Sequence, residues 1–369
     1  MFYAQKKISP VKFILRLFYR ADWILIILIT PILFSSLATM KSFGGGKDYF
    51  FNHQIIWIAI GIFIFVAFNA IDWRFFKRGN FLFIFYIIGV LFLIWLIFYG
   101  KSTKGAVSWL KFPLFSIEPS EPIKLLMILI LAKYFSLRHI EIAHIKHIIV
   151  SGTYAALPSL LIFLQPDFGS AAILFFIWLG MIIVSGVSKK HLLAVLLLFS
   201  ITFALSWFFV LKPYQKLRII TFVNPLSDPK GAGYNALQST IAVGSGRLWG
   251  KGIGLGAQSR LNFLPEPETD FIFASFAEEW GFLGVVFIFI FFAFFIWRIL
   301  NNAFLGMNNF QYLYGIGLSI FFMTHFIINV GMNIGILPIT GITLPFMSYG
   351  GSNLITSFAG IGILSGMRK

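Results

Sequence analysis

Cysteine is absent from the 369 residues, which excludes disulfides and thiolate metal sites and leaves the redox compartment unreadable. Acidic residues are nearly as scarce: thirteen Asp and Glu face 29 Lys and Arg, for a net charge of +16. Charged residues of both signs make up only 11% of the chain, where soluble globular proteins carry about 25%. That shortage excludes an ordinary soluble domain. What fills the space is apolar: 59% of residues are hydrophobic, and 47 are Phe. The chain reads as an all-α polytopic membrane protein. Its positive charge is then explained by Lys- and Arg-rich loops at one membrane face, with no nucleic-acid partner required. No small-residue cleavage site follows the first apolar run, so no cleavable signal peptide is expected.

A helix needs about 20 apolar residues to cross a bilayer. Ten runs approach that length: 22–39, 54–71, 80–99, 122–137, 148–165, 169–186, 191–211, 271–297, 310–333 and 343–365. With the N-terminus inside, the segments on that side hold fifteen Lys and Arg, among them Lys6, Lys7, Lys12, Arg16, Arg20, Arg74, Lys77, Arg78, Lys189 and Lys190. Short loops opposite hold five: Lys41, Lys47, Lys101, Lys104 and Lys111. The asymmetry predicts both termini in the cytoplasm. Residues 1–21 mix aromatics with cations, as expected of a basic interfacial leader on the inner membrane surface. Residues 212–270 form a long extracytoplasmic loop carrying seven Lys and Arg, and its aromatics and single prolines predict short packed helical pieces. Residues 1–369 together read as one transmembrane domain.

The scarce acids are not scattered. Five of the thirteen fall in FLPEPETDFIFASFAEEWGFLG: Glu266, Glu268, Asp270, Glu278 and Glu279. Thr269 and Asp270 stand where the eighth helix should begin, so a helix cap is the plain reading. Glu278 lies eight residues on, about 12 Å deeper, where a carboxylate is costly unless paired or hydrated. A polar cavity against this helix follows, with Gly281 and Gly284 allowing close packing. In IEPSEPIKLLMILIL, Ser120 suits an N-cap, and Glu121 and Lys124 share a helix face, either as a neutralised interfacial pair or as a charged cavity wall. Asp167 in QPDFGSA suits the N-cap of the sixth span.

The long loop supplies the complementary charge. Lys216 and Arg218 precede a turn at Asp228-Pro229, and Arg247 and Lys251 sit among six glycines in GSGRLWGKGIGLGAQS. Glycines permit close backbone approach to a phosphate, and Lys or Arg adds charge; flexible connection is the alternative. The spacing is not a Walker A loop, and no βαβ unit surrounds it. In NIGILPITGITLPFMSYGGSN, Pro338, Gly341, Pro345 and Gly350-Gly351 interrupt an apolar run, as backbone lining a cavity does. Ser348, Tyr349 and Ser352 could line that cavity. Carboxylates and cations thus converge on the outer face, where cations suit a phosphate or pyrophosphate and a carboxylate suits proton removal.

In this order, EPSEPIKL, QPDFGSA, KLRIITFVNP, QSTIAVGSG, GKGIGLGAQS, LPEPETDFIFASFAEEWGFLG and LPFMSYGGS resemble the SEDS proteins of bacteria (shape, elongation, division and sporulation). The resemblance covers about residues 15–367, and QSRLNFLPE and NIGILPITGITLPF look most like the cell-elongation member. It implies a peptidoglycan glycosyltransferase of the bacterial cytoplasmic (inner) membrane that polymerises lipid II. The implied partners are a class B penicillin-binding protein that crosslinks the strands, other elongation-complex proteins and membrane lipids. The family's essential Asp corresponds to Asp270, and its PSE-x-x-K pair to Glu121 and Lys124. Substrate contacts are expected from Glu121, Lys124, Asp167, Lys216, Arg218, Lys251, Gln258 and Ser348. Two positions depart from the family pattern: Ser108 replaces an Arg before Trp109, and Glu268 replaces a His before the TDFIF run.

An α-linked donor giving a β-1,4 glycan requires inversion, hence one general base, assigned to Asp270. Departing undecaprenyl pyrophosphate needs positive charge, from Lys216, Arg218, Lys251 or a divalent cation (Mg or Mn), which Asp270 could instead ligate. The alternatives are a flippase for the lipid-linked precursor, a scaffold that recruits the penicillin-binding protein, or the division or sporulation member of the same family. A flippase favours a site near the bilayer midplane, whereas these charges gather on one face.

Overall fold

The structure is a computed structural model, and it describes residues 21–43, 48–73, 76, 79–100, 109–111, 116–137, 145–229, 231–261 and 263–368. The interfacial leader expected over residues 1–21 lies, but for Ala21, outside them, as does Ser108. Thirteen helices follow in order among the described residues: α1 (Trp23–Ser42), α2 (Asp48–Ala70), α3 (Phe81–Tyr99), α4 (Ser120–Ser136), α5 (Ile145–Leu164), α6 (Phe168–Val184) and α7 (Lys189–Phe209), then α8 (Pro213–Val223), α9 (Ala232–Ser245) and α10 (Ala257–Arg260), then α11 (Ile272–Phe304), α12 (Asn309–Asn333) and α13 (Gly351–Met367). A two-residue antiparallel ladder, β1 (Leu110–Lys111) with β2 (Ser116–Ile117), precedes α4.

This is an all-α multi-pass membrane protein. Seven helices, α1, α2, α3, α5, α7, α11 and α12, are long and apolar enough to cross a membrane, and α6 is a shorter apolar helix. α4 and α13 have 17 residues each and are buried along nearly their whole length. Each of the ten apolar runs falls on a long helix. The tenth run differs at its start: instead of a helix from 343, residues 335–350 are non-helical and α13 begins at Gly351. Pro338 and Pro345 lack the amide a helix would need there, and Gly341 holds φ at +76°. The long loop 212–270 contains α8, α9 and α10, the short packed pieces its composition predicts.

Small residues let the central helices approach. A Cβ at Gly61 of α2 would sit 2.2 Å from the Phe358 ring, and one at Gly362 of α13 2.8 Å from the Phe65 carbonyl. Such contacts bring α2 and α13 together, the Phe358 ring seated on Gly61 and the Gly362 backbone close to that of α2. α4, α6 and α11 pack around α12. By contrast α7 buries no side chain and meets the bundle through Phe199 stacked on Phe175, with ring centroids 4.2 Å apart.

One buried carboxylate ties three helix ends together. Asp22, just before α1, accepts from Arg298 Nε and Nη2 of α11, both at 2.9 Å, and from Asn302 at 2.6 Å. Arg368, after α13, approaches it at 3.4 Å, and the Asp22 amide donates to Ser365 at 2.9 Å. The start of α1 and the end of α13 therefore share one face of the bundle. Ser42, closing α1, instead donates to Glu279 near the start of α11, so the long loop occupies the opposite face. Replacing Asp22 by Ala leaves the Arg298 guanidinium without its main partner; breaking a buried pair costs about 3 kcal/mol. The expected outcome is a clearly lower thermal unfolding midpoint in detergent, partly restored by Asp22→Leu combined with Arg298→Met.

Candidate active site

α11 is broken near the loop face. Gly281 adopts φ 66° and ψ −168° within it, a conformation open to glycine and strained for other residues. The break releases backbone groups that cannot stay unpaired at membrane depth. The Gly-rich loop pairs with them: the Lys251 and Gly252 amides donate to the Glu278 and Glu279 carbonyls at 2.9 and 3.0 Å. In return, the Phe282 and Leu283 amides donate to the Arg247 and Leu248 carbonyls at 2.8 and 3.2 Å. The loop fits into the helix as a strand would, and Gly250 lies so close to Gly281 that a Cβ on either would meet backbone within 2.2 Å.

The side chains of the same residues clamp the loop's far half. Glu278 Oε1 accepts from Lys251 Nζ at 2.7 Å, and both its oxygens lie 3.2 Å from the Gln258 amide. Glu279 Oε1 accepts from Ser42 and, at 3.0 Å, from the Gly254 amide. These are the two deep carboxylates of the acidic cluster, and they hold a loop. Lys251, expected to meet substrate, is already paired, and Gln258 takes part through its backbone.

Asp270 sits at the other end of this short segment, partly exposed, just before α11. Neither it nor Thr269 caps the helix; the capping position is Phe271, without a side-chain cap. Its backbone carbonyl accepts from Asn329 Nδ2 at 3.1 Å and Asn333 Nδ2 at 3.0 Å, both on α12. Its carboxylate lies against the 335–350 segment, where a Cβ added to Gly341 would sit 3.5 Å from Oδ2. That segment is itself fastened: Asn329 Nδ2 also donates to the Ile342 carbonyl at 2.7 Å, and Ser348 Oγ donates to the Thr269 carbonyl at 2.7 Å while accepting from the Leu344 amide at 2.8 Å. Ser348 is thus a brace between the two chains. Glu268 is buried, its carbonyl accepting the Tyr349 amide at 2.8 Å.

A second polar group surrounds the start of α4. Lys124 Nζ donates to Glu121 Oε1 at 2.8 Å, and Asn353 of α13 donates to Glu121 Oε2 at 3.1 Å, all three side chains being buried. Ser120, expected as an N-cap, instead donates to Glu118 at 2.7 Å, and the cap position falls on Pro119. Burial, reinforced by Glu121 and Asp167, pushes the Glu118 carboxyl up to about 8. Asp167 caps α6 by accepting the Ser170 amide at 3.0 Å; burial raises its carboxyl above the usual range despite the opposing pull of Lys124. The 335–350 segment links both groups, since Gly169 beside Asp167 packs on Thr340 and Ile342.

Of the loop cations, Arg218 lines a cavity of about 240 Å³ with Thr221, Leu237, Thr240, Gly335 and Ile339. Ile339 packs in turn on the cluster containing Phe271 and Ala274, so this cavity borders the Asp270 segment. Lys216, two residues before Arg218 on α8, is not among the side chains lining that cavity. Four residues escaped the sequence reading: His325, Asn329, Asn333 and Asn353. The first three recur every four residues along the apolar α12, a polar stripe on one helix face. Among the described residues no three His, Asp or Glu side chains converge to hold a metal, so the residues present do not form a cage for a resident divalent cation.

A family model for the cell cycle proteins FtsW, RodA and SpoVE matches residues 16–369. The chain is 34% identical over 342 residues to the peptidoglycan glycosyltransferase MrdB of Escherichia coli K12, covering 92% of this chain and 91% of that one. A chain from the solved structure of a peptidoglycan synthase complex that coordinates polymerization and crosslinking superposes with a TM-score of 0.81 at 26% identity, covering 94% and 97%. The rod shape determining protein RodA of Thermus thermophilus shares the fold, with a TM-score of 0.71 at 24% identity over 94% and 96%.

The docked loop yields a direct test. Gly281→Ala adds a Cβ that would sit 2.2 Å from the Gly250 nitrogen. Hydrogen exchange at the Lys251, Gly252, Phe282 and Leu283 amides should accelerate roughly tenfold or more, equivalent to about 1.4 kcal/mol of lost docking. Amides in the middle of α12 should keep their protection.

Proposed function

The chain belongs to the FtsW, RodA and SpoVE family of cell cycle proteins, and on that premise we propose that it is a peptidoglycan glycosyltransferase that polymerises lipid II during cell elongation. The reaction joins the C4 hydroxyl of an acceptor N-acetylglucosamine to the anomeric carbon of a donor N-acetylmuramic acid, and undecaprenyl pyrophosphate leaves. Inversion at that carbon needs a base on the acceptor and stabilisation of the leaving group.

The observation that carries this reading is the setting of Asp270. Its carboxylate is partly exposed at the loop face, beside Gly341, on a backbone gripped by two buried amides. Asp270 takes the proton from the acceptor hydroxyl as the new bond forms. Negative charge growing on the pyrophosphate is met by Arg218 and Lys216, Arg218 from the wall of the bordering cavity. Lys251 can contribute only in exchange with Glu278. No step requires a resident metal; a divalent cation, if used, would arrive with the pyrophosphate and be held by it and one carboxylate. Of the second polar group, Lys124 and Glu121 are closed off as a buried pair, and the half-buried Asp167 is the side chain open to the sugars.

The loop face is proposed to be extracytoplasmic and both termini cytoplasmic, in the bacterial cytoplasmic membrane, following the Lys and Arg distribution. Likeness to a chain of a complex that coordinates polymerization and crosslinking supports a class B penicillin-binding protein as partner.

Purified protein with that partner, given labelled lipid II, should make glycan polymer. Asp270→Ala should fold, bind lipid II and polymerise at least about 100-fold more slowly, since positioned proton transfer contributes roughly 10²–10⁴-fold. Wild-type polymerisation by a folded Asp270→Ala protein would refute the assignment, and movement of lipid II across vesicles without polymer would favour a flippase.

A further inference from the structure

α11 ends one hydrogen bond short of Asp270, and the reason lies on another helix. Had α11 continued upward, the Ala274 amide would donate to the Asp270 carbonyl, four residues earlier. Instead the Asn333 carboxamide stands between them: its Oδ1 accepts the Ala274 amide at 3.2 Å and its Nδ2 donates to the Asp270 carbonyl at 3.0 Å. A side-chain amide carries the same donor and acceptor as a peptide group, so it completes the turn while stopping the helix. Asp270 is thereby left off the helical path, with its carboxylate turned toward Gly341.

Asn333 is itself held. Ser239 of α9 donates to its backbone carbonyl at 2.8 Å and to Oδ1 at 3.2 Å, while its Nδ2 also donates to the Asn329 carbonyl at 2.8 Å. Asn329, one turn earlier, spans Asp270 and Ile342, joining the carboxylate's own backbone to the non-helical segment that faces it. Both asparagines are fully buried. A simple packing role would be served by Leu or Met on a helix as apolar as α12, and buried amides with several partners fix one geometry where apolar contacts allow several.

We infer that Asn329 and Asn333 are positioning residues for Asp270, setting where its carboxylate meets the acceptor hydroxyl. This rests on the reading of Asp270 as the base. They touch no reacting atom; they act through the carbonyl of the residue that does. Their loss should therefore lower turnover and leave lipid II binding intact, because a misplacement of about 1 Å costs on the order of 100-fold in rate.

The test uses the full chain with its crosslinking partner and labelled lipid II, comparing Asn333→Gln, Asn333→Asp and Asp270→Ala, each normalised to folded protein. Asn333→Asp keeps the acceptor for Ala274 and Ser239 but loses both donated bonds, and it adds a carboxylate beside the base. Expected are a kcat at least about tenfold lower for Asn333→Gln and about 100-fold lower for Asn333→Asp, with KM within about twofold of wild type. In Asn333→Asp the acid limb of kcat should also move to higher pH, since a neighbouring like charge raises the pKa of the base. A purely structural asparagine would lower the unfolding midpoint and leave kcat and the acid limb of the folded fraction unchanged; that result overturns the inference. If Asn333→Asp does not fold, Asn333→Gln decides by its kcat alone. An active Asp270→Ala protein would instead remove the premise, whatever the asparagine variants do.

Discussion

A backbone amide or carbonyl within a membrane protein has no water to fall back on, and the architecture of the loop face follows from that constraint. α11 gives up its own hydrogen bonds at two places, Gly281 and the turn before Ile272. Each gap is closed by a different part of the chain: the Gly-rich loop at the first, and Asn333 of α12 at the second. The segment between the gaps, residues 270–280, is consequently fixed to both neighbours. It carries Asp270, the proposed base, at one end and the loop clamps Glu278 and Glu279 at the other.

Among the described residues, the buried carboxylates Asp22, Glu278 and Glu121 hold parts of the protein together. Asp22 gathers three helix ends, Glu278 neutralises Lys251, and Glu121 neutralises Lys124. Each arrangement lets an ionised group lie inside an apolar bundle, where an isolated charge would be costly. Lys216 and Arg218, both half-buried, belong to the short helix α8 on the loop face. An enzyme whose lipid-linked substrate brings a pyrophosphate needs its positive charge on that same face, so the division of labour is chemically consistent.

The spans were legible because ten apolar runs of near-membrane length leave few other options, and the packed pieces of the long loop were signalled by prolines and aromatics. The tenth helix was read too long: hydropathy alone does not register that Pro338 and Pro345 deny a helix its amides. The motif around Asp270 marked the candidate site, yet its caps were misassigned, since capping depends on which side chain another element has already supplied. Glu278 and Glu279 looked like cavity-lining acids because their partners, Ser42, Lys251, Gly254 and Gln258, are distant or backbone groups that no local pattern reveals. Asn329 and Asn333 were visible as a polar stripe at helical spacing on α12, but its meaning needed the neighbouring helix end.

The proposed base works because its carboxylate is held at one place, and lengthening the side chain tests this while preserving charge. Asp270→Glu moves the carboxylate by one methylene, about 1.5 Å, without altering the backbone grip of Asn329 and Asn333. The measurement is lipid II polymerisation per folded molecule. Activity reduced at least about 100-fold, with lipid II binding unchanged, is the expected result. Wild-type polymerisation by Asp270→Glu would contradict it, because a carboxylate that tolerates such displacement is not positioned by the surrounding structure.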